Sequence, residues 1–74
     1  MPVFSRTPSP ARQAERQELM NSLTHTQKRI NQAYSCFNTT SDADLIESYV
    51  FEINSLQARY NYLLRRFKAL ERTP

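Results

Sequence analysis

Counted in sevens, the second half of the chain keeps one apolar stripe. Ile46, Ile53, Tyr60 and Phe67 fall at one position, and Tyr49, Leu56, Leu63 and Leu70 fall three residues later in each repeat. That is the a/d spacing of a helix pressed against other helices. Val50 and Leu64 stand one position beyond the stripe and widen it. The first half carries a thinner version in Leu19, Leu23, Ile30, Ala33 and Phe37, with Met20 and Tyr34 alongside and Thr26 as an interruption. The pattern predicts two helices, each burying one long face.

Start and stop signals place the ends. Ser9 is a good N-cap and Pro10 suits a first helical position, so the first helix is expected over residues 10–37. Its opening turns, ARQAERQE, are polar and are expected to fray. Asn38-Thr39-Thr40 is the break, since Asn tolerates the left-handed conformation that closes a helix where Gly is missing. Ser41 is expected to cap the second helix, with Asp44 completing a Ser-x-x-Asp capping box. The second helix then spans residues 42–71. Asp42, Asp44 and Glu47 lie near its positive pole, and Arg65, Arg66, Lys68 and Arg72 near its negative one. Helices of 28 to 30 residues are about 42–45 Å long. A three-residue connection forces them side by side and antiparallel. The expected fold is all-α: a helical hairpin domain over residues 9–74, preceded by a disordered arm over residues 1–8. That arm holds Pro2, Pro8 and an apolar Val3-Phe4 pair. Thr7-Pro8 and Ser9-Pro10 have the form of proline-directed phosphorylation sites, although small polar residues are ordinary in an unstructured start.

A hairpin of this kind buries one seam and leaves the rest in water. The second helix has more apolar side chains than the first can cover, because Phe51 and Tyr62 lie off the stripe while Val50 and Leu64 flank it. Self-association is therefore expected, most simply as a dimer of hairpins forming a four-helix bundle. The alternative is a different protein docked on the same surplus. The face in either case is Ile46, Tyr49, Val50, Ile53, Leu56, Tyr60, Leu63, Leu64 and Phe67.

Composition narrows the function classes. The 74 residues include no Gly, which removes the phosphate loop and the dinucleotide fingerprint and disfavours tight hairpins of strands. One cysteine permits no internal disulfide and fits a reducing compartment or indifference to redox. No apolar run approaches the ~20 residues that span a bilayer, and MPVFSRTPSP has no apolar core of a secretory signal. The expected location is the cytoplasm, with no membrane association.

Candidate chemistry is thin. His25, the single histidine, lies beside Thr24 and Thr26 without Cys or carboxylate at ligand spacing. Cys36 stands near the end of the first helix, the wrong pole for a thiolate. Asp42, Asp44, Glu47 and Glu52 lack the Gly-bent loop of a hard-cation site and the Glu-x-x-His pairs of a bundle di-metal site. No catalytic residue, metal or cofactor is assigned, and the chain is not expected to be an enzyme. The net charge of +3 is mild, but its distribution is uneven. Arg59, Arg65, Arg66, Lys68 and Arg72 share one end of the hairpin with Arg6, Arg12 and Arg16, against Glu15, Glu18 and Glu71. The functional alternative is a nucleic-acid- or ribosome-associated factor, with Arg59, Arg65, Arg66, Lys68 and Arg72 on phosphates and Tyr62 as a stacking residue. The simpler reading is dipole matching and solubility.

From Tyr34 to Leu70 a family pattern stands out. Its elements are Ala33, Phe37-Asn38, Thr40-Ser41-Asp42, Asp44-Leu45-Ile46, Ala58-Arg59-Tyr60 and Tyr62-Leu63-Leu64. They resemble the YaaL-like family of small, uncharacterised bacterial proteins. The resemblance covers about half the chain. Ala43 stands where that family commonly has Pro, which relaxes the expected helix start. The resemblance implies a short, helical, cytoplasmic protein from a low-GC Gram-positive bacterium, with no known activity. Some members are encoded near recombination genes.

Overall fold

A computed structural model describes residues 10–72. It contains two α-helices, α1 over Pro10–Thr39 and α2 over Ala43–Arg72, of 30 residues each. They pack against one another as an antiparallel hairpin, as the stripes and the short connection imply. The arm expected over residues 1–8 and the Ser9 cap lie outside the described residues.

Helix α1 begins at Pro10, where a missing N–H costs nothing. Its polar opening turns, expected to fray, are helical. Interhelical ion pairs hold them: Arg16 to Glu71, and Glu15 to Arg66 at 2.7 Å. The helix also runs past the expected end. Asn38 stays helical, and no described residue has positive φ. Threonines replace the left-handed closure. The Cys36 carbonyl accepts from the Thr40 N–H at 3.1 Å and from the Thr39 hydroxyl at 3.2 Å. Thr40 Oγ1 in turn accepts from the Asp42 N–H at 3.3 Å, so the chain reverses over three residues.

Asp42, rather than Ser41, caps α2. Its Oδ1 accepts the Leu45 N–H at 3.0 Å, and its carbonyl accepts the Ile46 N–H at 2.9 Å. Asp ranks with Ser as an N-cap and adds a negative charge at the positive helix pole. With Ala43 first, the third helical position is Leu45, so no reciprocal capping box forms.

The core is the seam between the helices. Leu19, Ile30, Ala33, Ile53 and Leu56 are buried, together with Thr26, which is 4% exposed. Thr26 therefore does not interrupt the face. It sits in one heptad row with Leu19 and Ala33, while Leu23, Ile30 and Phe37 form the other. The α1 side of the seam is built from slimmer side chains, and α2 supplies the bulk through Ile53, Leu56, Tyr60, Leu63 and Phe67. That asymmetry is why α1 reads as the weaker face. Among the described residues no buried side-chain polar atom lacks a partner, and no helix is long and apolar enough to cross a membrane.

Candidate interaction surfaces

The stripe residues of α2 have divided fates. Ile53 and Leu56 are buried in the seam, and Ile46, Tyr49, Tyr60, Leu63, Leu64 and Phe67 are half-buried. Val50 is exposed. The hairpin covers the inner edge of this face and leaves its outer edge to water. Phe51, 65% exposed, points to the back of α2, and Leu45 and Tyr62 are exposed as well.

Two antiparallel helices with heptad seams have two flanks, and here they differ in chemistry. One flank is ionic. The row Glu15, Ser22, Arg29, Cys36 on α1 runs opposite Arg66, Arg59, Glu52, Leu45 on α2. Glu15 pairs with Arg66 at 2.7 Å, and Arg29 with Glu52 at 3.9 Å. Both pairs are exposed, so solvent screens them and each contributes little to stability. Arg66 also donates to the Tyr62 hydroxyl at 3.4 Å and lies 5.9 Å from that ring. The phenol and then Glu15 hold the guanidinium in its charged form, raising its pKa above the ordinary arginine value. Between the two ion pairs Ser22 faces Arg59, and a groove of ≈ 550 Å³ opens there, lined also by Asn21, His25, Thr26 and Tyr62. Further along, Tyr49 donates a hydrogen bond to Cys36, which pushes its pKa above the ordinary 10.0; the Cys36 charge acts in the same direction.

The other flank carries the row Met20, Gln27, Tyr34 on α1 and Val50, Gln57, Leu64 on α2. Met20, Tyr34 and Val50 are 40%, 44% and 40% exposed. A smaller groove of ≈ 340 Å³ is lined by Gln27, Ile30, Gln57, Tyr60 and Asn61. At the open end of the hairpin Arg16 closes this flank. It lies 5.3 Å from the Phe67 ring and pairs with Glu71.

The basic residues are spread around α2. Arg59 and Arg66 share the ionic flank, Arg65 and Arg72 share the back, and Lys68 lies between the back and the other flank. The fold does not gather the five into one patch. His25 is exposed in the larger groove, in reach of the same groove as Arg59 and Tyr62. That juxtaposition was hidden in the sequence, because it depends on which α1 row faces which α2 row. Cys36 is half-buried. Asp42, Asp44 and Glu47 are exposed around the start of α2, where Asp42 caps. Among the described residues no group of His, Cys, Asp or Glu is placed to hold a metal ion.

Comparison with known proteins adds a family. No curated protein and no solved structure matches the chain significantly. Residues 3–72 match the model of a family described as protein of unknown function (DUF2508), and the chain belongs to that family.

Proposed function

We propose that this chain is a small, non-enzymatic helical interaction protein of the cytoplasm that works by self-association or as an adaptor for another protein. The supporting observation is the set of six large apolar side chains exposed on the lone hairpin: Met20, Tyr34, Leu45, Val50, Phe51 and Tyr62. Three of them, Met20, Tyr34 and Val50, share one flank, and apolar side chains grouped on so small a protein support an association role. The grooves are open clefts, and among the described residues no group is placed to hold a metal ion, which fits an interaction role. The resemblance to YaaL-like proteins supports a bacterial, cytoplasmic setting. Light scattering coupled to size exclusion tests the reading. A dimer or larger species, or a stable complex after capture from the native cell, is expected. A folded monomer at micromolar concentration with no captured partner refutes it.

A second reading rests on the larger groove, where Arg59, His25 and Tyr62 come together beside Arg66. In that reading the protein contacts nucleic acid through Arg59, Arg65, Arg66, Lys68 and Arg72, with phosphates on the cations and a base on Tyr62. Binding would fall steeply with salt, and replacing Arg65, Arg66 and Arg72 by Gln would abolish it without loss of helicity. Absence of binding to duplex, single-stranded DNA and ribosomal RNA at low salt refutes it.

A further inference from the structure

The two flanks differ most in charge. The middle of the flank of Met20, Gln27, Tyr34, Val50, Gln57 and Leu64, and of the neighbouring outer row of Thr24, Asn31, Asn54 and Asn61, carries no formal charge; charge returns only where these rows reach Glu47, Lys68 and Glu71. The chain has 17 charged residues, so this blank is a feature of the face. Loss of charge with retention of large apolar and amide groups is the composition of an interface centre.

The order of residues on that face is symmetric. Gln27 and Gln57 both line the smaller groove. Counting seven residues toward the open end gives Met20 on α1 and Leu64 on α2, and seven toward the loop gives Tyr34 and Val50. The face therefore reads apolar, amide, apolar, with each apolar layer about 10 Å from the centre. A surface that reads the same in both directions is complementary to itself under a two-fold axis through its middle layer.

We propose that a second copy of this chain docks on this face, antiparallel to the first, with the two-fold axis crossing the Gln27–Gln57 layer. The inference rests on the self-association reading above and adds the face, the register and the direction. In this arrangement α1 lies on α1 and α2 on α2 of the partner copy. Met20 meets Tyr34, Val50 meets Leu64, and each glutamine meets its own counterpart. The amides hydrogen-bond across the axis and penalise any sliding that would bury them against apolar groups.

Charge chooses the direction. A parallel dimer matches the same apolar layers, because Met20 then meets Leu64 and Tyr34 meets Val50. It also sets two basic ends side by side. Among the described residues that end holds Arg12, Arg16, Arg59, Arg65, Arg66, Lys68 and Arg72 against Glu15, Glu18 and Glu71, for +4. The loop end holds Asp42, Asp44, Glu47 and Glu52 against Lys28 and Arg29, for −2. The antiparallel dimer lays each basic end over an acidic one. Lys68 stands 11 residues from Gln57 and Glu47 stands 10 residues from it on the other side, so the symmetry brings the two together at the rim.

The test uses the full chain in a Cys36→Ser background. Gln57→Cys is oxidised and the product run on a non-reducing gel. The antiparallel axis puts residue 57 against its own counterpart, so Gln57→Cys alone is expected to give mostly covalent dimer. If Gln57→Cys alone fails to cross-link but mixed Gln27→Cys and Gln57→Cys chains do, the dimer is parallel and the proposal falls. Light scattering supplies the second readout. Met20→Glu and Val50→Glu are each expected to raise the dissociation constant about tenfold or more, and Phe51→Glu on the back to leave it within about twofold. Circular dichroism checks that each variant stays helical. A dimer broken by Phe51→Glu and untouched by Val50→Glu overturns the face while self-association stands. A parent chain that is monomeric at ~100 μM removes both.

Discussion

Truncation of Leu56 weighs the seam most directly. The side chain is 4% exposed and sits at the middle of the hairpin, where α2 meets the slim Thr26 row of α1. Leu56→Ala removes about three carbons, and at ~0.8 kcal/mol per buried carbon the transfer loss is ~2.4 kcal/mol. An enclosed core would add a further cost for the cavity left behind. Here grooves of ≈ 550 and ≈ 340 Å³ flank the seam, so the vacated space opens to water and the neighbours can settle into it. The expected loss is therefore ~2–3 kcal/mol, near the bottom of the usual range for this substitution.

Phe51→Ala is the matched control. Phe51 is the larger residue, but it is 65% exposed. Its truncation forfeits about a third of ~3 kcal/mol, and the better helix propensity of Ala returns ~0.5. The net expectation is ~0.5 kcal/mol. Urea unfolding followed by circular dichroism at 222 nm reads both. At ~1 kcal/mol per M of urea, Leu56→Ala moves the midpoint down by about 2–3 M and Phe51→Ala by about 0.5 M. Protein concentration is held fixed, because association stabilises by mass action. Equal shifts for the two, or a larger one for Phe51, would show that the hairpin is not held by this seam.

Three further outcomes follow from local contacts. Asp42→Ala is expected to cost ~1 kcal/mol in the same urea assay, with Ser41→Ala inside ±0.5, and the reverse order would restore Ser41 as the cap. A double-mutant cycle on Glu15 and Arg66 should give a weak coupling that shrinks between about 0.05 and 1 M salt, and a coupling indifferent to salt would contradict an exposed ion pair. Tyr49 is expected to ionise above 10.0 in a phenolate absorbance titration, and Cys36→Ala should bring it down by removing the acceptor of its hydrogen bond. The sign fixes the pH window. The folded state holds the phenolic proton more tightly than the unfolded chain does, so this stabilisation is complete below the unfolded value near 10 and is lost as pH rises through the higher folded one. A Tyr49 titration unmoved by Cys36→Ala would break the pairing.

The seam was legible because a heptad count belongs to one chain. Ile53 and Leu56 announce their burial by spacing alone, and the Pro10 start and the sharp turn are signals read within a few residues. Errors came where two neighbours offered the same chemistry. Ser41 and Asp42 are both good caps, and the choice went to the one whose oxygen meets the Leu45 N–H in a turn already fixed by Thr40. Asn38 was a plausible closure until Thr39 and Thr40 supplied hydrogen bonds that need no left-handed residue. Thr26 looked like a flaw in an apolar row because polarity was weighed before size. In a seam filled from the α2 side, a small β-branched residue fits.

The flanks were illegible for a different reason. Each helix alone shows only rows, and nothing in one row says which row of the other helix lies beside it. Once the hairpin is closed, Glu15 and Arg29, fourteen residues apart, meet Arg66 and Glu52, also fourteen apart, and that flank is committed to ion pairs. The same closure puts Met20, Gln27 and Tyr34 beside Leu64, Gln57 and Val50, where neither helix contributes a charge to pair. A hairpin evolved to stand alone in water would have charged both flanks, since exposed charge favours solubility and costs a surface helix little. Charging one flank and leaving the middle of the other bare is the division of surface that the proposed dimer requires.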